Sequence, residues 1–303
     1  MSDQPPSSVR SNFPLDGLAT VRTGGPAELF ARAGSEAELL ELLDWAKQAG
    51  VEINVIGSGS NLLVADEGVE GLVLKLDREL ATIELDGTSL QCGGGARLPS
   101  VAAYAARHGL SGVEFGVNIP GTVGGAVRMN ANAYGGELSL TLEWVQIVSA
   151  SGSQRRAPEQ LGFAYRSSNL RPGEVVASAR FLLAASNPAT VKASLAQMRA
   201  RRHEAQPQGI KTFGSTFKNP QGPGAHGQSA GLLLARAGCN GLSVGGARFA
   251  PKHANFIENT GGATTAEVVA LMAEGRRLVM ESSGVELQPE VQTLGAVRFP
   301  WAS

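Results

Sequence analysis

The chain has 303 residues, 43% hydrophobic and 17% charged, with a formal net charge of -1. That length buries a large core and favours two or three domains over one, while the near-neutral balance gives no electrostatic footprint for nucleic acid or an anionic membrane. Only Cys92 and Cys239 occur, in no C-x-x-C arrangement, which excludes a disulfide framework and a thiolate zinc site and indicates a reducing compartment.

In chain order, residues 1–12 are polar and proline-bearing and read as a disordered tail, with no apolar core of signal-peptide length. Ser35 and Glu38 form a capping-box signature. It opens a helix whose buried face is Leu39, Leu40, Leu42, Leu43 and Ala46 and which ends at Gly50. Residues 51–56 read as a strand running straight into a glycine loop, and residues 71–76 as another. Asp86-Gly87 is a hairpin turn signal between strands at 82–85 and 89–92. Pro99 suits the first turn of a helix that reaches His108-Gly109. Strands are expected at 142–148 and 175–183. Asn187-Pro188 opens a helix whose last turns carry Arg199, Arg201 and Arg202, matching the negative end of its dipole.

The segment 204–209, with Pro207, marks a boundary. Beyond it come a short helix at 229–237, a strand at 255–258, and a helix to residue 282 behind the capping box of Thr264 and Glu267. A closing strand is expected at 286–291. This pattern divides the chain into domains at 1–76, 77–206 and 207–292. No apolar run approaches the ~20 residues needed to cross a bilayer, so a cytoplasmic protein is expected.

Glycine is abundant, 39 of 303 residues against a usual share of roughly 7%, without a Gly-X-Y period. Two loops concentrate it: Gly57-Ser58-Gly59-Ser60-Asn61-Leu62, directly after a strand, and Pro120-Gly121-Thr122-Val123-Gly124-Gly125-Ala126. A strand ending in glycines sets successive amides in a concave nest that binds phosphate oxygens without charged side chains, and a Cβ would block that approach. Leu62 occupies the sixth position, so the first loop is not a Rossmann fingerprint, and no G-x-x-x-x-G-K-[ST] string exists. Either loop alone could be a tight turn. Two together favour a pyrophosphate-bearing cofactor, and the lack of His or Cys in both loops makes it non-covalent.

Several strings carry a resemblance. They are Val55-Ile56-Gly57-Ser58-Gly59-Ser60-Asn61-Leu62-Leu63, Ile119-Pro120-Gly121-Thr122-Val123-Gly124-Gly125-Ala126, Met129-Asn130-Ala131, Ala133-Tyr134-Gly135-Gly136 and Tyr165-Arg166-Ser167-Ser168. Further along come Gly214-Ser215-Thr216-Phe217-Lys218-Asn219-Pro220, Lys252-His253-Ala254-Asn255-Phe256-Ile257 and Pro289-Glu290-Val291. In that order, and over nearly the whole chain, they resemble those of the UDP-N-acetylenolpyruvoylglucosamine reductases. Ser58 departs from the pattern where glycine is commoner, and Asn118 where a small residue is expected.

The resemblance implies an α+β fold: an FAD-binding fold of the vanillyl-alcohol-oxidase type, made of two α+β subdomains, plus a smaller α+β substrate domain. Residues 293–303 would return to the first subdomain. It implies FAD as cofactor, NADPH as reductant, and reduction of UDP-N-acetylglucosamine enolpyruvate to UDP-N-acetylmuramate, a step in peptidoglycan precursor synthesis. Gly57, Ser58, Gly59, Ser60, Asn61, Leu62, Gly121, Thr122, Gly124 and Gly125 would bind the cofactor. Ser215 matches the family's proton donor, and Arg166 and Glu290 the pair that polarises the substrate carboxylate. Lys218 would pair with the UDP diphosphate, with Asn219, Tyr165 and Tyr134 as further substrate contacts.

No tyrosine follows Tyr165, which places the chain in the shorter class without a tyrosine lid. A monomer acting on small molecules is expected. The residues alone read more plainly: Ser215 as a turn or cap residue, Arg166 as a surface residue, Glu290 as a rim charge, and His108, His203, His226 and His253 as structural. Two alternatives stay open, another FAD-dependent oxidoreductase of the same fold and a non-catalytic flavin- or nucleotide-sugar-binding module.

Overall fold

The computed structural model describes residues 4–221 and 223–301; residues 1–3 of the expected tail lie outside them. The chain forms two compact units. One takes the described residues of Met1–Asn12, Glu28–Ser58 and Gly71–Arg202, the other those of Phe13–Ala27, Gly59–Glu70 and His203–Ser303. Residues 13–27 and 59–70 thus cluster with the C-terminal third of the chain rather than with their neighbours in sequence.

In the first unit, Gly152–Arg156, Leu142–Ser149, Val175–Leu182, Ser89–Gly93 and Ile83–Asp86 form, in that order, an antiparallel sheet. The last two strands make the hairpin that Asp86-Gly87 signals, with Gly87 at φ 58°. Leu90, Val145, Ala179 and Phe181 share a core with Val101 and Ala105 of the helix Leu98–Arg107 and with Val123 and Val127 of the helix Val123–Arg128. Val148, Val175 and Ala177 are buried instead with Leu39, Leu42 and Leu43 of the helix Glu36–Ala49. On a regular strand Ala177 and Ala179 would share a face. Here Gln146 pairs with Ser178 and Ile147 with Val176, so Ala177 is an extra residue in a bulge and the faces exchange. One sheet thereby serves two helix layers.

A second sheet, ordered Arg10–Pro14, Pro26–Ala33, Val69–Leu76, Ile53–Val55, carries the first glycine loop beyond its short last strand. The expected tail is therefore a strand from Arg10 onward. The helix Glu36–Ala49 is capped at both ends by the expected residues: Gly50 closes it in the left-handed region at φ 67°, and Ser35 Oγ accepts from the Glu38 amide at 3.2 Å. The Glu38 carboxylate takes the amide of Gly34 at 2.8 Å, so the box closes one residue earlier than expected.

The second unit holds an antiparallel sheet ordered Thr212–Ser215, Phe256–Asn259, Ala247–Phe249, Ser243–Val244. Its helices are Ala230–Arg236 and Thr265–Ser283, the latter opened by a complete Thr264/Glu267 capping box. A Cβ on Gly275 would lie 2.7 Å from the Phe249 ring and 3.2 Å from Leu234, so the glycine lets the sheet and both helices close together. The closing strand is displaced from 286–291 to Gln292–Leu294, which runs parallel to Leu62–Val64. Phe217 and Pro289 form only an isolated bridge there, a non-hydrogen-bonded pair flanked by the Lys218 and Glu290 amide bonds, where a proline is tolerated.

Cys92 and Cys239 are buried free thiols whose pKa values burial raises to about 12 and about 11, so neither is a nucleophile at neutral pH. No helix among the described residues is long and apolar enough to cross a membrane.

Candidate active site

In the first unit Gly57, which opens the first glycine loop, meets the second loop. A Cβ on Gly57 would sit 2.5 Å from Thr122 Oγ1, so that position must be glycine. Lys75 Nζ donates to the Gly57 carbonyl and holds the loop from below. Among the described residues, no hydrogen bond takes the amides of Gly57 and Ser58, and Ser58 Oγ is buried without a partner.

The second loop differs from the expected nest. Its Val123 amide donates to Ala96 O at 2.9 Å and its Gly124 amide to Gly94 O at 2.8 Å. Its Gly125 amide donates to Thr122 Oγ1 at 3.4 Å. Thr122 is thus the cap of the helix Val123–Arg128, and the glycines here serve close approach. A third glycine run, 93–95, escaped the sequence reading: a Cβ on Gly94 would lie 1.8 Å from Val176 O.

Gly57, Gly94, Gly95, Thr122, Gly124 and Gly125 line a cleft, together with Lys75 and Arg128. Burial pushes the pKa of both cations down; Glu174 partly opposes this at Arg128, and Asp77 at Lys75. A floor without side chains, two desolvated cations, unused amides and an orphaned hydroxyl fit a dinucleotide diphosphate. The departure at Asn118 also has a local cause. Its Nδ2 donates to Met198 O at 2.8 Å, tying its 3-10 turn to the helix Pro188–Ala205.

The same unit presents Tyr134, Tyr165 and Arg166 on two tight turns. Tyr134 and Gly135 have φ of 52° and 81° between the paired residues Ala133 and Gly136, the mirrored geometry of a two-residue hairpin turn. Tyr165 and Arg166 span a turn closed by two bonds of 3.1 Å between Ala164 and Ser167, with Arg166 at φ 56°. Positive φ costs a residue with a side chain about 1–3 kcal/mol. Both residues occupy places that favour glycine or asparagine, so their side chains are what the turns display. The Arg166 guanidinium lies 5.1 Å from the Tyr165 ring centre. Its Nη1 donates to Asn132 Oδ1 at 2.7 Å. Asn130 Nδ2 reaches Ala164 O at 3.4 Å, joining the turns again.

The second unit brings Ser215, Lys218 and Glu290 together through backbone. Ser215 ends its strand opposite Phe256. The Lys218 amide then donates to Gln288 O at 2.8 Å and the Glu290 amide to Thr216 O at 2.9 Å. This short ladder sets Glu290 beside Thr216, one residue from Ser215. Asn255, buried, clamps the ladder: its Oδ1 accepts from the Phe217 amide and its Nδ2 donates to Phe217 O, both at 2.9 Å.

The C-terminal half of the first glycine loop joins the same unit. Asn61 Nδ2 donates to Glu290 O at 3.3 Å, and Thr20 Oγ1 bridges Gly59 O and Thr212 O at 3.1 and 2.6 Å. Asn219 spends its Oδ1 on the Ala230 amide at 3.1 Å, a helix-capping role that its sequence context did not suggest. His253 is half-buried with its pKa lowered by burial, and its Nδ1 accepts from the Asn255 amide at 3.2 Å, a structural role. Ser215, Lys218 and Glu290 thus share one unit, while Arg166, Tyr165 and Tyr134 lie in the other.

This glycine-floored cleft belongs to an FAD-binding protein with an α+β fold of the vanillyl-alcohol-oxidase type: residues 27–157 match the family model of the FAD binding domain. Residues 206–294 match that of the UDP-N-acetylenolpyruvoylglucosamine reductase C-terminal domain. The chain is 42% identical over 301 residues to the UDP-N-acetylenolpyruvoylglucosamine reductase of Novosphingobium aromaticivorans, covering 97% of this chain and 99% of that one. It is 40% identical over 298 residues to UDP-N-acetylenolpyruvoylglucosamine reductase 2 of Symbiobacterium thermophilum, covering 98% and 94%. The structure of the reductase from Thermus caldophilus superposes with a TM-score of 0.82 at 36% identity, over 94% of this chain and 99% of that one. The chain belongs to the UDP-N-acetylenolpyruvoylglucosamine reductase family.

Proposed function

We propose that this protein reduces UDP-N-acetylglucosamine enolpyruvate to UDP-N-acetylmuramate at the expense of NADPH, with non-covalently bound FAD. The observation that carries the reading is the ladder between residues 216–218 and 288–290, which sets a carboxylate one residue from a serine far away in sequence. When bound, FAD supplies hydride chemistry, accepting from NADPH and donating to the enolpyruvyl methylene. Residues 57–62 would hold it with their amides, Gly121, Thr122, Gly124 and Gly125 by close approach, and Lys75 and Arg128 by charge.

The chain's own part is acid–base and electrostatic. Ser215 Oγ gives a proton to C2 of the enolpyruvyl group. Arg166 meets the substrate carboxylate with its planar fork, and Glu290 steadies the enolate form of that carboxylate. Lys218 pairs with the diphosphate, and Tyr134 and Tyr165 flank the sugar nucleotide. With its Oδ1 on the Ala230 amide, Asn219 offers Nδ2 for ligand contact. We place the enzyme in the cytoplasm as a monomer of three parts, residues 1–76 with 293–303, 77–206 and 207–292.

Purified protein should be yellow, release about one FAD per chain on acid precipitation, and oxidise NADPH only when the enolpyruvyl UDP-sugar is present. Colourless protein that FAD cannot reconstitute, or NADPH oxidation indifferent to that substrate, would overturn the reading.

A further inference from the structure

Three residues other than glycine with positive φ gather in one place in the first unit: Asn130 at 40°, Tyr134 at 52° and Arg166 at 56°. Strain of this kind persists where the surroundings over-determine the backbone, and here side chains do so. Glu137 Oε1 accepts from Asn130 Nδ2 at 2.8 Å and from Ser139 Oγ at 2.7 Å. These two bonds, Ser139 first, lower the Glu137 pKa. Glu137 also pairs across the hairpin with Asn132. The Asn132 side chain therefore projects from a braced frame, and its Oδ1 receives Arg166 Nη1 at 2.7 Å.

We propose that Asn132 is a positioning residue for the reduction: it orients the Arg166 guanidinium toward the substrate carboxylate. The inference rests on the function proposed above. An arginine carries five N–H donors in one plane, so committing Nη1 to a fixed acceptor, with the plane lying near the Tyr165 ring, restricts how the rest are presented. The acceptor is a neutral amide. A carboxylate at this position would hold the same geometry but spend the guanidinium charge that the substrate carboxylate needs. Orientation and charge are thereby separable by substitution. Asn132→Leu keeps the charge and loses the orientation, and Asn132→Asp keeps the orientation and offsets the charge.

The test uses the FAD-loaded, full-length enzyme, with steady-state kinetics, flavin content, thermal melting and calorimetric titration of UDP-N-acetylmuramate. For Asn132→Leu, kcat should fall about 10- to 100-fold, the cost of misplacing a positioned group. Its flavin content, melting temperature and rate of flavin reduction by NADPH should stay at wild-type values. For Asn132→Asp, kcat should stay within about 3-fold of wild type. Its KM for the enolpyruvyl substrate and its Kd for the product should rise about 10-fold, as for a weakened hydrogen bond to a charged group.

Wild-type kcat in Asn132→Leu overturns the proposal. If Asn132→Leu loses flavin or fails to fold, Asn132→Asp decides alone, and unchanged KM and Kd there overturn it. Wild-type enzyme that does not turn over the substrate defeats the proposed function and this inference together. Active wild type with indifferent variants defeats only this inference.

Discussion

The two groups of candidate catalytic residues are held by different means. In the second unit, Ser215, Lys218 and Glu290 are placed by main-chain pairing, Ser215 opposite Phe256 and the other two through the bonds between residues 216–218 and 288–290. In the first, Tyr134 and Arg166 stand on two-residue turns in backbone conformations that disfavour them, braced by Asn130, Asn132 and Glu137. A residue displayed by backbone can be exchanged with little effect on the fold. A residue displayed by a strained turn is coupled to the stability of its neighbours. The second unit should therefore separate chemistry from folding cleanly, and the first should mix them.

The strongest separation is expected at Ser215. Ser215→Ala removes one hydroxyl and leaves the strand pairing with Phe256 intact. Flavin content, melting temperature and flavin reduction by NADPH should stay normal. Reoxidation by the UDP-sugar, followed by stopped-flow absorbance, should fall about 10²–10⁴-fold, the usual loss of a positioned acid. Reoxidation at the wild-type rate would return Ser215 to a loop residue. Asn255 is where the comparison can be broken, because the ladder depends on that one side chain. Asn255→Ala strands the amide and carbonyl of buried Phe217, at about 1–3 kcal/mol each. Calorimetry should show a loss of about 2–6 kcal/mol. A neutral result would mean that the ladder stands without its clamp. Lys218 restores the separation. Lys218→Ala keeps the amide bond to Gln288 O, so melting should be unchanged while KM for the UDP-sugar rises at least ~30-fold.

The same distinction explains what could be read in the chain beforehand. Helix caps at Ser35 and Thr264 and the Asp86-Gly87 turn are local signals, and each lies where expected, with only the Glu38 bond displaced by one residue. The strand Pro26–Ala33 was missed because its buried positions are largely alanines, Ala27, Ala31 and Ala33, which carry little strand propensity. The closing strand was placed too early because the apolar pattern at 286–291 does not show that the partner strand, Leu62–Val64, meets the chain only from Gln292 onward. Gly94 packs against Val176 O, a contact made by the fold and invisible in a three-glycine string. Among site residues, Ser215, Arg166, Glu290 and Lys218 were found only through family strings. Asn132, Lys75 and Arg128 had no such string, and the bond from Arg166 to Asn132 joins residues 34 apart. No local period reports a contact of that kind.

Tyr134 offers the smallest effect and the sharpest test of the strained-turn side. It occupies the first central position of a mirrored two-residue turn at φ 52°, with Gly135 at 81° in the second. Asn-Gly is the pair such turns prefer, because asparagine tolerates the left-handed region and tyrosine does not. Tyr134 is 41% exposed, so replacing it gives up only part of a tyrosine's burial, which the relief of the turn offsets. Tyr134→Asn should therefore raise stability by about 0.5–1 kcal/mol, read as a small upward shift in melting temperature. If the ring flanks the bound sugar nucleotide, KM for the UDP-sugar should rise by about 3- to 10-fold while kcat holds. The two readouts should move in opposite directions, which a residue kept for packing would not do. A fall in both stability and affinity would mean that the tyrosine supports the turn, and the strain at this position would then have a structural cause.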